Sequence, residues 1–438
     1  MEKKLLIIQP SHYRSRNDLT VVRTRKRKVV PFTLPYLAAL TPEGWEIKLA
    51  DEQLEGIDFE MPADLVAITA WTINSLRAYA IADRFRQRGI PVIMGGPHVS
   101  FHREEAGEHC DAVGVGEGET IWPQMLADAA AGRLKKVYRS EHLIELAGLP
   151  FPRYDLLDMS RYGFFKTFSV QTSRGCPFRC EFCSERRYLG EKYRVRPVAE
   201  VVEEIRRSGA RYVLFVDSNF SGKVDHAMEL MEAILPLKVR WSALWSLRLC
   251  ANKDFMDLAQ KSGLLHVNIG FESIDPDTLD AMNKKVNLTD HERILQYLRK
   301  RGVSYSLNFI FGYDSDKEAI FEATLSFLLR NKVPAAYFNM LTPHKGSSLY
   351  DRLKAEGRIV DEAGIGRWPG MKCHIKLKNF SAAELIQRVK GLHRKFYSYR
   401  SMLARLPLPL TEAAVASWMI NIAERKSFRN EAENFDEF

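Results

Sequence analysis

The chain has 438 residues, 46% of them hydrophobic, and carries a net charge of +9 at pH 7. That length exceeds one ordinary core and implies two or three domains, and the composition excludes a disordered chain. Six cysteines spread over this length exclude a disulfide scaffold, and the absence of a run of about 18 apolar residues excludes a membrane span, so a cytoplasmic protein is expected, one that could touch a membrane surface.

Residues 1–140 alternate short apolar runs with helical patterns. KLLIIQP (4–10) predicts a strand, LPYLAAL (34–40) a helix with Thr33 as N-cap, and WEIKLAD (45–51) and DLVAITA (64–70) two more strands. SLRAYAIADRFRQRG (75–89) predicts a helix stopped by Gly89; IPVIMGG (90–96) is a strand, and CDAVGVGEGE (110–119) precedes a helix from near Thr120. Strand–helix alternation with nearly all-apolar strands means an α/β fold with a doubly wound, Rossmann-like parallel sheet, whose ligands sit at the carboxyl ends of the strands. Much of the positive charge falls on Arg14, Arg16, Arg23, Arg25, Lys26, Arg27 and Lys28. That stretch is either a solvated loop or a contact for an anion: a phosphate-bearing cofactor tail, an acidic substrate or lipid headgroups. It lacks interleaved aromatics, and no nucleic-acid partner is expected.

Residues 141–164, with GLPFPRYDLLDMSRYG, predict a linker. Residues 165–350 repeat the alternation about six times, through FKTFSVQTS, ARYVLFVDS, VRWSALWS, LLHVNIGFES, VSYSLNFIFG and AAYFNMLTP, with helices such as VAEVVEEIRRSG between them. Six units suit a partial (β/α)6 barrel better than a full eight. Residues 351–438 form a mostly helical C-terminal segment in which Trp368, Cys373, His374 and Trp418 are expected to close the barrel, ahead of a polar end, RNEAENFDEF.

The chemistry lies in SRGCPFRCEFCSE. Cys176, Cys180 and Cys183 stand at C-x3-C-x2-C directly after a predicted strand. Thiolates are the usual protein ligands of iron–sulfur clusters, and three of them on a 4Fe–4S cubane leave one iron open to chelate the amino and carboxylate groups of a substrate. Gly175 and Pro177 supply the bends that point three sulfurs at one cluster. Zinc would want a fourth Cys or His at a paired spacing, and none is present. Cys110, Cys250 and Cys373 read as small buried hydrophobes.

This motif resembles the signature of the radical S-adenosylmethionine (SAM) superfamily, over roughly residues 165–350. The resemblance implies a cluster on Cys176, Cys180 and Cys183, with Phe182 beside the SAM adenine and Ser184 next to it. It implies cofactor contacts from strand ends at Asp217 (LFVDSNF), Glu272 (IGFES) and Asn308 (LNFIFGYD); for Asp217 and Glu272 the alternative is helix capping or a structural ion pair. TPHKGSSLYDRL resembles the family's sixth-strand element, with His344 at an unexpected position. Residues 4–135 resemble the cobalamin-binding domain that precedes the barrel in one large subgroup, which includes class B methylases and anaerobic ring-forming enzymes. Thr69 and Trp71 in ITAWT, Gly95, Gly96, Pro97 and His98 in MGGPHVS, and Gly116 and Glu117 in GVGEGET are the implied cobalamin contacts. D-x-H-x-x-G is missing, so the resemblance implies base-off cobalamin without a histidine ligand; the alternative is a vestigial domain with an empty crevice.

The implied activity is reductive cleavage of SAM at the cluster to a 5′-deoxyadenosyl radical, used with cobalamin for C-methylation of a natural-product, lipid, tetrapyrrole or peptide substrate. A flavodoxin or ferredoxin would supply electrons. The same cofactors could serve cyclisation, rearrangement or oxidation, and a non-catalytic iron–sulfur or cobalamin sensor is the reading from another class. A tRNA methylthiotransferase is disfavoured, because Cys110 alone cannot supply a second cluster.

Overall fold

Leu5–Ile8 are all buried in β1 (Lys3–Gln9), as a central strand of a parallel sheet covered on both faces must be. The computed structural model describes residues 2–15, 18–284, 288–365, 372–406 and 411–431; Arg16, Trp368 and the end 432–438 lie outside them. The chain divides into two compact units, one comprising Met1–Val170 with Glu185–Tyr212, the other Gln171–Ser184, Val213–Ile365 and Gly370–Phe438.

In the first unit β3 (Trp45–Asp51), β4 (Leu65–Thr69), β5 (Val92–Gly95), β6 (Ala112–Val115) and β7 (Val137–Arg139) join β1 in the order β3-β1-β4-β5-β6-β7. Every neighbouring pair is parallel. The order reverses between β1 and β4, which opens a crevice at their carboxyl ends. The helix Ser75–Gln87 buries Ala78, Tyr79, Ile81, Ala82 and Phe85 against one face and ends before Gly89, whose φ of +76° lies in the left-handed region that favours glycine. The helix Thr33–Leu40, which precedes β3, starts at Thr33 itself, with Phe32 at the cap position and no side-chain cap bond, so Thr33 is not the N-cap. The basic stretch is partly absorbed by the fold. Arg27 opens a strand, β2 (Arg27–Val30), pairs with Asp51, and Arg23 and Arg77 lie on the fully buried Glu52. β2 runs parallel to β8 (Tyr162–Val170), the first of the six strands expected for the barrel.

Two two-residue strands follow, β9 (Ser173–Arg174) and β10 (Arg194–Val195). The other five barrel strands are β11 (Tyr212–Phe215), β12 (Arg240–Ser246), β13 (Leu264–Glu272), β14 (Tyr305–Phe311) and β15 (Ala335–Met340), side by side in chain order. β12 to β15 pair in parallel. Val267, Ile269 and Phe271 of β13, and Tyr305, Leu307, Phe309 and Phe311 of β14, alternate into the core. His266, Asn268, Gly270 and Glu272, with Ser306 and Asn308, occupy the opposite face. Beneath the sheet Phe215, Phe220, Trp241, Trp245 and Phe255 pack ring against ring at 5.0–6.1 Å. Cys250 takes a bond from Trp245 Nε1 (3.1 Å) within that layer, as a small hydrophobe with a weak acceptor.

Candidate functional site

Cys176, Cys180 and Cys183 lie half-buried on a loop without regular structure, and none is in a disulfide. Gly175, at φ +87°, makes the turn into it. The loop is held at three places. At its start, the buried Asp217 carboxylate accepts from Thr172 N (2.8 Å), Thr172 Oγ1 (2.8 Å) and Ser173 N (2.6 Å). Burial pushes that carboxyl up, against these three donors. In its middle, Asn283 Nδ2 donates to Arg179 O (3.0 Å) and Glu181 N donates to Met282 O (3.1 Å). Glu181 also pairs with Arg352 (2.7 Å), and Leu349 N donates to its carbonyl (2.9 Å). Three thiols on a loop so fixed, with no fourth cysteine or histidine of the loop beside them, fit a cubane with one open iron. Burial pushes the Cys180 thiol up, opposed by the Lys284 cation.

Glu272 ends β13 near this loop, with Lys284 Nζ on its Oε1 at 2.8 Å. Asn308, on the polar face of β14, donates to Asn268 Oδ1 (2.6 Å), and Ser306 Oγ to the same oxygen (3.1 Å). His266 continues the row, between Ser304 Oγ (2.8 Å) and Ser306 Oγ (3.0 Å). The structure therefore brings Glu272 and Asn308 onto one polar barrel face, whereas Asp217 is fully engaged in holding the start of the cysteine loop. Phe182 and Ser184 are half-buried beside Cys183, while Phe178 is exposed. His344 is half-buried after β15; burial, then the neighbouring His374, hold its imidazole below the usual range. Sequence reading missed Lys284, Arg352, Asn268 and His266. The alternation in LLHVNIGFE could have exposed the last two; nothing local marks Lys284 or Arg352.

In the first unit, Thr69, Trp71, Gly95, Gly96, Gly116 and Glu117 all fall at the carboxyl ends of β4, β5 and β6. Trp71 is half-exposed there, and its backbone N–H donates to Asn74 Oδ1 (2.8 Å), whose Nδ2 donates to Pro10 O (3.0 Å) at the end of β1. Asn74 thus ties the two strands that flank the crevice. Gly96 is needed by the fold: a Cβ there would meet Ala70 O at 2.8 Å, at φ +102°. Gly95 is different, since its Cβ would meet only Gly114 O at 3.8 Å. Open backbone at that edge fits a large planar ligand such as a corrin.

Two expected cobalamin contacts are engaged elsewhere. Glu117 makes a two-pronged pair with Arg194 (2.8 and 2.9 Å), both side chains almost fully buried, and accepts from Ile144 N (2.9 Å). His98 is buried, with Nε2 at 2.9 Å from Tyr79 Oη, after Pro97 begins its helix. His98, His102 and Glu105 bring ligand-type atoms within 4.8 Å of one another. Yet the two imidazoles stack at 4.4 Å and 10°, so their in-plane lone pairs run side by side instead of converging on one ion.

Residues 170–328 match the Radical SAM superfamily and residues 19–126 match the B12 binding domain. Bacteriochlorophyllide d C-12(1)-methyltransferase of Chlorobaculum tepidum is 29% identical over 437 residues, spanning 97% of this chain and 94% of its own. The C-8(2)-methyltransferase for the same compound and organism is 27% identical over 403 residues, spanning 87% and 88%. The fold is also that of the radical SAM methyltransferase TsrM from Kitasatospora setae, solved with cobalamin and a 4Fe–4S cluster: TM-score 0.71 at 17% identity, covering 99% of this chain and 100% of that one.

Proposed function

We propose that this chain, which carries a B12-binding domain ahead of a radical SAM domain, is a cobalamin-dependent radical SAM methyltransferase that methylates an unactivated carbon of a tetrapyrrole. One observation carries the reading: a single chain joins a cysteine loop fastened for an open-iron cubane to a sheet edge with open backbone. When bound, the cluster with SAM supplies a hydrogen-abstracting radical and cobalamin supplies a methyl carrier.

The protein's own work is to hold, orient and exclude water. Cys176, Cys180 and Cys183 would hold the cluster, and Asp217, Met282, Asn283 and Arg352 fix the loop that presents them. Glu272, Asn308 and Phe182 would be the SAM contacts. Thr69, Trp71, Gly95 and Gly116 line the edge proposed for cobalamin, and His98, whose Nε2 meets Tyr79 Oη, would not be a cobalt ligand. Among the described residues no helix is long and apolar enough to cross a membrane. The tetrapyrrole assignment draws on the two relatives matched over most of their own length, both named for bacteriochlorophyllide d. A cytoplasmic setting, with a flavodoxin or ferredoxin as electron donor and no nucleic-acid partner, belongs to the same proposal.

The test is anaerobic incubation of reconstituted enzyme with reductant, methyl-deuterated SAM and bacteriochlorophyllide d. The expected product has gained a labelled methyl group in place of one hydrogen. 5′-Deoxyadenosine release with no labelled methyl group in the product would replace methylation by cyclisation, rearrangement or oxidation; no SAM cleavage at all would leave a sensor.

A further inference from the structure

Three consecutive residues after the short helix Pro276–Ala281 touch both the cysteine loop and the end of β13. Met282 O accepts from Glu181 N (3.1 Å), and Asn283 Nδ2 donates to Arg179 O (3.0 Å), one on each side of Cys180. Lys284 Nζ donates to Gly270 O and to Glu272 Oε1, each at 2.8 Å. The turn is itself braced: Lys284 N donates to Leu279 O (2.8 Å), and Asn283 sits at φ +57°, a conformation asparagine tolerates.

Glu272 does not hold its pose by backbone preference. Its φ is +72°, in the left-handed region that costs a non-glycine residue free energy and persists only where neighbours impose it. The ladder to β14 skips a residue between Gly270 and Glu272, a bulge that re-aims the side chain. Gly270 leaves room for the arrangement, since a Cβ there would stand 2.6 Å from Glu272 Oε1 and 3.1 Å from Lys284 Nζ. The Lys284 and Glu272 side chains are 23% and 8% exposed, so their charge-assisted bond is shielded from water and geometrically demanding.

We infer that Lys284 is a positioning residue for SAM, which locks the Glu272 carboxylate at a fixed place relative to the cysteine loop through the 282–284 turn. The inference rests on the reading of Glu272 as a SAM contact. SAM chelated at the open iron would then meet a carboxylate that needs no reorganisation, one of its oxygens, Oε1, being held by Lys284. Lys284 acts through Glu272 and does not touch SAM.

The test uses the reconstituted holoenzyme and two readouts: equilibrium SAM affinity, and the change SAM causes in the EPR spectrum of the reduced cluster. Lys284→Ala is expected to keep wild-type iron, to bind SAM roughly tenfold more weakly, the scale of one charge-assisted hydrogen bond, and to lose most of the spectral change. Lys284→Arg, which keeps the cation, should recover both. Glu272→Gln should weaken SAM binding too, and the double variant Lys284→Ala/Glu272→Gln should bind no more weakly than Glu272→Gln alone, because the lysine works through that carboxylate. Unchanged affinity in Lys284→Ala beside a weakened Glu272→Gln would overturn the lysine's role and leave Glu272 standing. Additive losses in the double variant, or iron loss in Lys284→Ala, would also overturn it. Wild-type affinity in Glu272→Gln would remove the underlying reading and this inference with it.

Discussion

Glu117 sits at a strand end where ligands are expected, and the fold spends its charge on Arg194, 77 residues further along the chain. Removing one member of such a buried pair strands the other charge, so Arg194→Met should destabilise the protein by about 3 kcal/mol in urea titration, and Glu117→Leu added to it should recover much of that loss. Asp217 and His98 repeat the pattern: a polar residue at the predicted spot, satisfied by Thr172 and Ser173 or by Tyr79. This is why single strand-end residues were ambiguous in sequence, where a partner 45 residues away leaves no mark, whereas the cysteine triad was legible because its spacing alone dictates the chemistry. The three scattered cysteines give the contrast. Burial pushes Cys110 and Cys250 up to about 12, far from the thiolate form a metal needs. Alanine at Cys176, Cys180 or Cys183 should abolish iron-dependent absorbance and SAM cleavage, while alanine at Cys110, Cys250 or Cys373 should leave iron content unchanged; a cluster lost with one of the buried thiols would contradict the ligand set.

Strands and helices were the most legible level. The apolar runs of the first sheet and the six barrel strands all form close to where periodicity puts them, because strands buried on one or both faces leave no choice of register. β2 was hidden, since four residues rich in Lys and Arg carry no strand pattern and owe their extended form to β8. On β13 the same alternation that builds the core puts His266 on the polar face, where burial pushes its imidazole down to about 4 from an ordinary 6.5. The unfolded chain takes up a proton as pH falls through 6.5, but the folded ring stays neutral until about 4. The contribution is therefore complete above pH 6.5 and lost as pH falls across that window. Between pH 7 and pH 5 this group should cost the native state about 1–2 kcal/mol. Anaerobic urea titrations at both pH values should show that loss reduced in His266→Asn; an equal loss in the variant would assign the pH dependence to other groups.

In the whole molecule, the cysteine loop lies in one compact unit and the open sheet edge at Gly95 in the other. The open edge at Gly95 makes the first unit testable without its substrate. A Cβ there meets only one atom, at 3.8 Å, so Gly95→Val should fold normally yet lose cobalamin by steric conflict with the ligand. The wild type should retain about one cobalamin per chain with a base-off spectrum, unchanged in His12→Ala and His98→Ala. A spectrum that changes with either histidine would mean that a protein imidazole does reach cobalt. Whether both cofactors serve one methyl transfer is read from the fate of SAM in a single anaerobic incubation with reductant and bacteriochlorophyllide d. One SAM consumed as radical source and one as methyl donor predict 5′-deoxyadenosine and S-adenosylhomocysteine in equal amounts, each matching the methylated product. Formation of 5′-deoxyadenosine with no S-adenosylhomocysteine would contradict it.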